Sequence, residues 1–426
     1  MTLAPGILFS LLLFVLGSCA WVEQNVAQPT VENLAALTAG KPAWKSPVLQ
    51  QHHLVGRIWR PSDGRFVDQQ ALTEDLVRSA YILLGEKHDN PDHHLLQARL
   101  IHTLTALGRR PAVVWEMILE SRQPVLDSYW AKYSHDAAAL GGTLGWDASG
   151  WPAWSMYQPI AEAAMAAHLP MYAAGLSKAA VRTLARGKPS FAFAKRQRSL
   201  GLNIPMPEEM RQRSLEQLYQ GHCELMPRDA LVPLLNVQRA KDAVFAEHML
   251  SGGADDGTLL IAGTGHVRKD LAVPVFLARH QPDVRITTVA FVEVRDGILD
   301  PMDYAASFSA PVLPFDYVWF TPRADDKDHC AALKEKWRKP KDVKMDPAAG
   351  SSTDTSRGPS DAPAEPPSEA PAEAPSEVPT EVPAKTKPVP QPTTPPAPST
   401  APAAPENDPP APNLSAPAPA KSSIKP

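Results

Sequence analysis

Short runs that are apolar at every position alternate along this chain with longer stretches in which apolar residues recur every three or four positions. Tyr81-Ile82-Leu83-Leu84, Ala112-Val113-Val114-Trp115, the stretch 170–175 and Thr258-Leu259-Leu260-Ile261-Ala262 are runs of the first kind. Short runs without polar alternation predict strands buried on both faces, as in a parallel sheet. Leu96, Leu100, Leu104 and Leu107 set a helical spacing after the first run. Asp89 or Asn90 can cap that helix, Pro91 suits its first turn, and Gly108 stops it. Further helices are predicted over 68–79, 121–133, 155–168 and 273–279. The stretches 56–60 and 65–67 flank a Pro61-Ser62-Asp63-Gly64 turn and predict a hairpin. Residues 284–294 are β-rich, 317–321 predicts a final edge strand, and 141–154 reads as a loop. Between two strands, 177–251 carries only helical signals, broken at Pro189, Pro205, Pro207 and Pro227. The whole pattern predicts an α/β fold: a largely parallel sheet with helices on both faces and an inserted helical subdomain over about 177–251.

The two ends follow different rules. Of the 46 prolines, about half fall in the last eighty or so residues. There, over 338–426, Pro, Ala, Glu, Ser and Thr dominate and bulky apolar residues are almost absent. Such a stretch cannot bury a core, so a disordered tail is expected. At the other end, 7–16 is apolar but too short to span a bilayer. It runs into Leu16-Gly17-Ser18-Cys19, which is similar to a bacterial lipoprotein cleavage box, although no Lys or Arg precedes the apolar core. On that reading 1–18 is a signal peptide, Cys19 is lipidated, 19–45 is a tether and 46–330 is the folded core. Ala20, rather than Asp, favours an outer-membrane anchor in the bacterial envelope. Lipidation of Cys19 leaves Cys223 and Cys330. In an oxidising compartment these could form one disulfide, although nothing local pairs them. A net charge of -4 implies no general affinity for nucleic acid.

The chemistry gathers where the apolar runs end. Gly85-Glu86-Lys87-His88 follows the first run, Glu116 the second, and Gly263-Thr264-Gly265-His266 the fourth. In open α/β sheets, ligands bind at the carboxyl ends of the strands. Glu86, His88, Glu116 and His266 brought to one edge suit a divalent metal or acid–base work. The plainer alternative is that they cap strand ends and satisfy loop backbone. His93 and Gln97 are i, i+4 neighbours on one helix face, beside His94. Tyr157 lies among Trp146, Trp151 and Trp154. These aromatics are either plain core or the walls of a pocket for a flat ligand whose iron a phenolate would bind.

Gly85-Glu86-Lys87-His88 with His93, His94 and Gln97, Trp115-Glu116, the 154–160 segment and Gly263-Thr264-Gly265-His266 together resemble the ChaN family. These are iron-regulated, haem-binding lipoproteins of the superfamily that includes Tiki, TraB and erythromycin esterase proteins. The resemblance covers roughly 45–300 and leaves out the Pro-rich tail. It implies a lipid-anchored haem-binding protein for haem or iron uptake, rather than an enzyme. Haem is the implied cofactor, with Tyr157 the closest match to the iron ligand. His88, His93, His94, Glu86, Glu116 and His266 are the surrounding site. A homodimer around stacked haems and a haem receptor as partner are implied as well. Related members are hydrolases, so a metal-dependent peptidase or esterase is the alternative.

Overall fold

The computed structural model describes residues 43–133, 136–252 and 256–338. The expected signal peptide, Cys19 and all but the first residue of the Pro-rich tail lie outside the described residues. Eight strands form one sheet: β1 (Ile58–Arg60), β2 (Arg65–Val67), β3 (Tyr81–Glu86), β4 (Ala112–Leu119), β5 (Met171–Gly175), β6 (Thr258–Gly263), β7 (Ile286–Glu293) and β8 (Tyr317–Thr321). Their spatial order is β2-β1-β8-β7-β3-β6-β4-β5. From β8 to β5 every neighbour is parallel, and the β1–β2 hairpin closes one side in antiparallel pairing. Tyr317–Thr321 is therefore not the edge strand that its position near the end of the core suggested. It lies between β7 and β1, and the early hairpin covers the edge it would have exposed.

Residue parity explains why the parallel strands are apolar throughout. Ile82, Leu84, Val113, Trp115, Leu259 and Ile261 belong to the core on one face. Tyr81, Leu83, Val114, Leu260 and Ala262 belong to the core on the other. The first face is covered by α1 (Gln69–Val77), α2 (Pro91–Ala106) and α5 (Trp154–Ala166), with α3 (Gln123–Lys132) and α4 (Ala137–Leu144) at its margin. The second face carries α9 (Val232–Ser251) and α10 (Val273–His280). Between β5 and β6 run α6 (Lys178–Ala185), α7 (Phe191–Arg196), α8 (Glu208–Gly221) and α9, all helical as the pattern predicted. A helix forms at 137–144, partly inside the expected loop. Asp136 caps it, and Trp154 fills the space that a Cβ on Gly141 would occupy. Asn90 is the cap of α2, with Pro91 in its first turn. The chain ends in α11 (His329–Arg338).

Register positions the site. β3 and β6 run level, with Glu86 opposite Gly263, and β4 flanks β6 on its other side with Trp115 opposite Ile261. Three strand ends therefore deliver Glu86, Gly263 and Glu116 side by side. Gly85 lets the Thr264–Val267 turn settle on β3, because a Cβ there would come within 2.3 Å of Val267 Cγ2. The Thr264 hydroxyl seals this contact by donating to the Glu86 carbonyl over 3.0 Å.

Candidate functional site

The strand-end groups form two buried clusters, one on each side of the sheet, which meet at Gly263. The first is centred on Glu86, which is 2% exposed. Its Oε1 accepts from the Tyr157 hydroxyl over 2.8 Å and lies 2.9 Å from His88 Nδ1 and 3.3 Å from His94 Nε2. Burial alone would raise the Glu86 carboxyl. The charges and hydrogen bonds of His94 and His88 outweigh it and hold the group below the usual carboxylate range. Burial lowers the His88 imidazole, but the Glu86 hydrogen bond and the charge of Glu116 raise it further. Tyr157 moves the other way. Burial first, and then the Glu86 charge, push its phenol far above the ordinary range, so it stays neutral.

The second cluster joins β4, β6 and α9. Glu116 Oε2 accepts from Gly263 N–H over 2.8 Å. Its Oε1 lies 3.3 Å from His266 Nε2 and 3.6 Å from Lys241 Nζ. His266 Nδ1 lies 2.6 Å from Asp242 Oδ1. Burial would discharge His266, yet Glu116 and Asp242 on either side raise it to about 9. It is thus an imidazolium at neutral pH. Glu116 is held well below its ordinary value, because His266 and Lys241 overcome the burial that would raise it.

These clusters border an open cavity of about 1110 Å³ at the carboxyl edge of the sheet. Glu86, His88, Glu116 and His266 form its floor together with Gly263. Met206, Leu218 and Leu235 of the helical insertion form one wall, and β7 with the 323–330 segment forms another. Trp151 lines the cavity and meets the His88 ring edge-on at 4.7 Å. Of the two imidazoles on the floor, His88 is the more open, with a third of its side chain exposed. Its Nδ1 is held by Glu86, and its Nε2 points past Gly263, where a Cβ would approach it to 2.9 Å. A histidine whose far nitrogen is oriented by a carboxylate is the usual arrangement of a metal-binding imidazole.

The structure brings Glu86, His88, Glu116 and His266 to one edge, as their positions predicted. It places the other candidates behind that edge. Tyr157 is fully buried beneath the floor, stacked on His94 at 4.1 Å and on Trp146 at 5.0 Å. Trp146 and Trp154 are core, whereas Trp151 faces the cavity. His93 accepts from Lys87 N–H at Nδ1 and bonds Thr321 Oγ1 through Nε2, both at 2.8 Å, tying α2 to the end of β8. Gln97 donates to the Leu84 carbonyl. His94 is fully buried against Glu86. Sequence reasoning passed over Asp242 and Lys241. Their only signal was charge within a stretch that otherwise reads simply as helix. It also passed over the 323–330 wall.

A polar floor, apolar residues on the insertion side and arginines in the lining suit an amphipathic planar ligand with acidic groups, and the cavity has room for a porphyrin. Arg295 and Arg323 both line the rim. Among the described residues, no three His, Cys, Asp or Glu side chains are gathered so as to hold a bare metal ion.

Comparison with known proteins gives three results. No curated protein matches the chain. Two solved structures resemble part of the chain. One, described as cofacial haem binding to ChaN of Campylobacter jejuni, is 21% identical, with a TM-score of 0.48 over 62% of this chain and 95% of that one. The other, the type III effector HopBA1, is 12% identical, with a TM-score of 0.35 over 60% and 93%. The family described as haem-binding uptake, Tiki superfamily, ChaN matches residues 72–277, a span that includes Glu86, His88, Glu116, Tyr157 and His266. Over residues 72–277, just under half of its length, the chain is therefore similar to the ChaN family of haem-binding uptake proteins in the Tiki superfamily.

Proposed function

We propose that this protein binds haem in the strand-end cavity and serves haem or iron uptake in the bacterial envelope. The observation that carries the reading is His88. Its imidazole is fixed on one side by Glu86, flanked by Trp151 and directed into a cavity of about 1110 Å³. His88 would hold the iron through Nε2, in preference to Tyr157, whose hydroxyl is committed to Glu86. Haem, when bound, supplies an iron centre whose affinity and potential depend on its axial ligand and surroundings. The chain's own residues do the rest. Glu86 orients His88 and increases its basicity, while Tyr157 and His94 hold Glu86 ionised beneath the floor. Trp151, Met206 and Leu218 offer apolar area to the ring, and Arg295 and Arg323 offer charge to its propionates. Haemin titration of the full chain, followed by absorbance, tests this. A saturable Soret change is expected, and its absence would sink the proposal.

The Leu16-Gly17-Ser18-Cys19 box supports attachment through lipidated Cys19, with the outer membrane as the site. Among the described residues, no helix is long and apolar enough to cross a membrane. Association of two copies around stacked haems and delivery from a haem receptor complete the reading. Light scattering with and without haemin tests the first.

A second reading, a hydrolase of envelope peptides or esters, is favoured by the Asp242–His266–Glu116 chain on the cavity floor. There, an imidazolium faces the same space as His88, an acid beside a base. Ester or peptide turnover that is lost in Glu116→Gln, by a protein purified without haem, would favour it.

A further inference from the structure

The cavity has a wall that lies outside residues 72–277. Arg323, Asp326, Lys327, Asp328, His329 and Cys330 form it. The chain leading into it is firmly held. Val48 pairs with Arg323 through backbone hydrogen bonds of 3.2 and 3.0 Å, and Ala324 N–H donates to Glu293 over 2.8 Å. Beyond Ala324 the hold weakens. Residues 326–329 are exposed, and α11 buries no side chain. One covalent bond then crosses from this segment to the helical insertion: Cys330 is disulfide-bonded to Cys223, 107 residues earlier. Cys223 follows the end of α8, whose Ser214, Gln217 and Leu218 also line the cavity. The bridge therefore ties the two walls together.

Cys223 and Glu224 both adopt positive φ, 55° and 61°, in the turn that ends α8. Backbone hydrogen bonds hold that turn, from Cys223 N–H to the Gln220 carbonyl and from Glu224 N–H to the Tyr219 carbonyl, so this end of the bond is anchored. Cys330 is itself partly exposed and lies in the cavity lining, so a thiolate can reach its sulfur.

We propose that Cys223–Cys330 is a redox latch on the cavity. Oxidised, it holds the 323–330 segment as a wall. A dithiol donates two electrons and two protons through a mixed disulfide at Cys330, leaving two cysteine thiols and its own disulfide. The segment then swings away from Ala324 onward, and the cavity opens. For the ligand, this rests on the haem reading above: the oxidised form retains haem and the reduced form releases it. The opening itself does not depend on that reading.

The experiment uses the full chain in three forms: oxidised, reduced with a phosphine that is then removed, and Cys223→Ser/Cys330→Ser. Amide hydrogen exchange is followed without ligand, and haemin release to an apo-globin trap is followed with it. Exchange over 323–338 should rise on the order of tenfold or more in both thiol forms, while β3 and β6 keep their protection. Haemin release should quicken by about tenfold, since loss of a wall acts on the off-rate. Unchanged exchange over 323–338 overturns the latch. Faster exchange with unchanged release overturns its control of the ligand. If no form binds haemin, the haem reading fails, and the exchange result alone decides the latch. Should the double variant misfold, the reduced wild-type chain, with β3 protection as its control, supplies the same comparison.

Discussion

Replacing Tyr157 with phenylalanine separates the two roles that its position allows. The ring volume is conserved, so packing against His94 and Trp146 should survive. What disappears is the hydroxyl that donates to Glu86 over 2.8 Å. Glu86 is buried and its Oε2 has no hydrogen-bond partner among the described residues, so the loss leaves its Oε1 to His88 and His94 alone. A hydrogen bond to a buried charge contributes about 1.5–3 kcal/mol. Taking about 2 kcal/mol, the melting midpoint should fall by roughly 3 °C for a domain of this size. Pairing the change with Glu86→Gln in a double-mutant cycle should show a coupling of about 1 kcal/mol or more, because both ends of one bond are removed. Thermal unfolding by circular dichroism reads the first quantity, and haemin absorbance supplies a control. Since the phenol lies beneath the floor, the haem spectrum should keep its form. An unchanged melting midpoint together with a lost charge-transfer band would refute this reasoning and restore Tyr157 as the ligand.

Other outcomes follow from the same contacts. His266 is raised from 6.5 to about 9, so its contribution to stability is complete below pH 6.5 and is lost as pH rises towards 9. The shift corresponds to about 3 kcal/mol. Denaturant unfolding should weaken across that window, and His266→Gln should flatten the slope. Gly263→Ala places a Cβ 2.9 Å from His88 Nε2 and 3.2 Å from its Cε1. Haemin affinity should fall on the order of tenfold or more, while the far-ultraviolet spectrum is kept. Cys19→Ala should release the protein from the membrane fraction, because several acyl chains are needed for a stable anchor. Acyl labelling of wild type and variant checks this.

The parts of this molecule that could be read from sequence are those governed by local pattern. Apolar runs gave the parallel strands, and leucine spacing gave α2, because burial on one or both faces leaves its period in the chain. Glu86, His88, Glu116 and His266 could be found because a strand end is a local feature and parallel strands share one edge. Tyr157 was harder. An aromatic cluster looks the same whether it lines a pocket or fills a core, and only tertiary packing put Trp151 outside and Tyr157 beneath. The position of β8 depends on a hairpin some 250 residues earlier in the chain, beyond any local signal. Asp242 gained its meaning only when α9 was laid across the second face of the sheet. Cys223 and Cys330 were the two cysteines left beside Cys19, and the structure bonds them across 107 residues although nothing local pairs them.

The central claim is that His88, oriented by Glu86, presents Nε2 to a haem iron. Replacing His88 with glycine leaves a space where the imidazole stood, and free imidazole can enter it. The test is haemin absorbance of His88→Gly with and without added imidazole. The account predicts an altered, weakened complex that imidazole returns to the wild-type Soret position. A His88→Gly protein that binds haemin with the wild-type spectrum and affinity, with no response to imidazole, would contradict it.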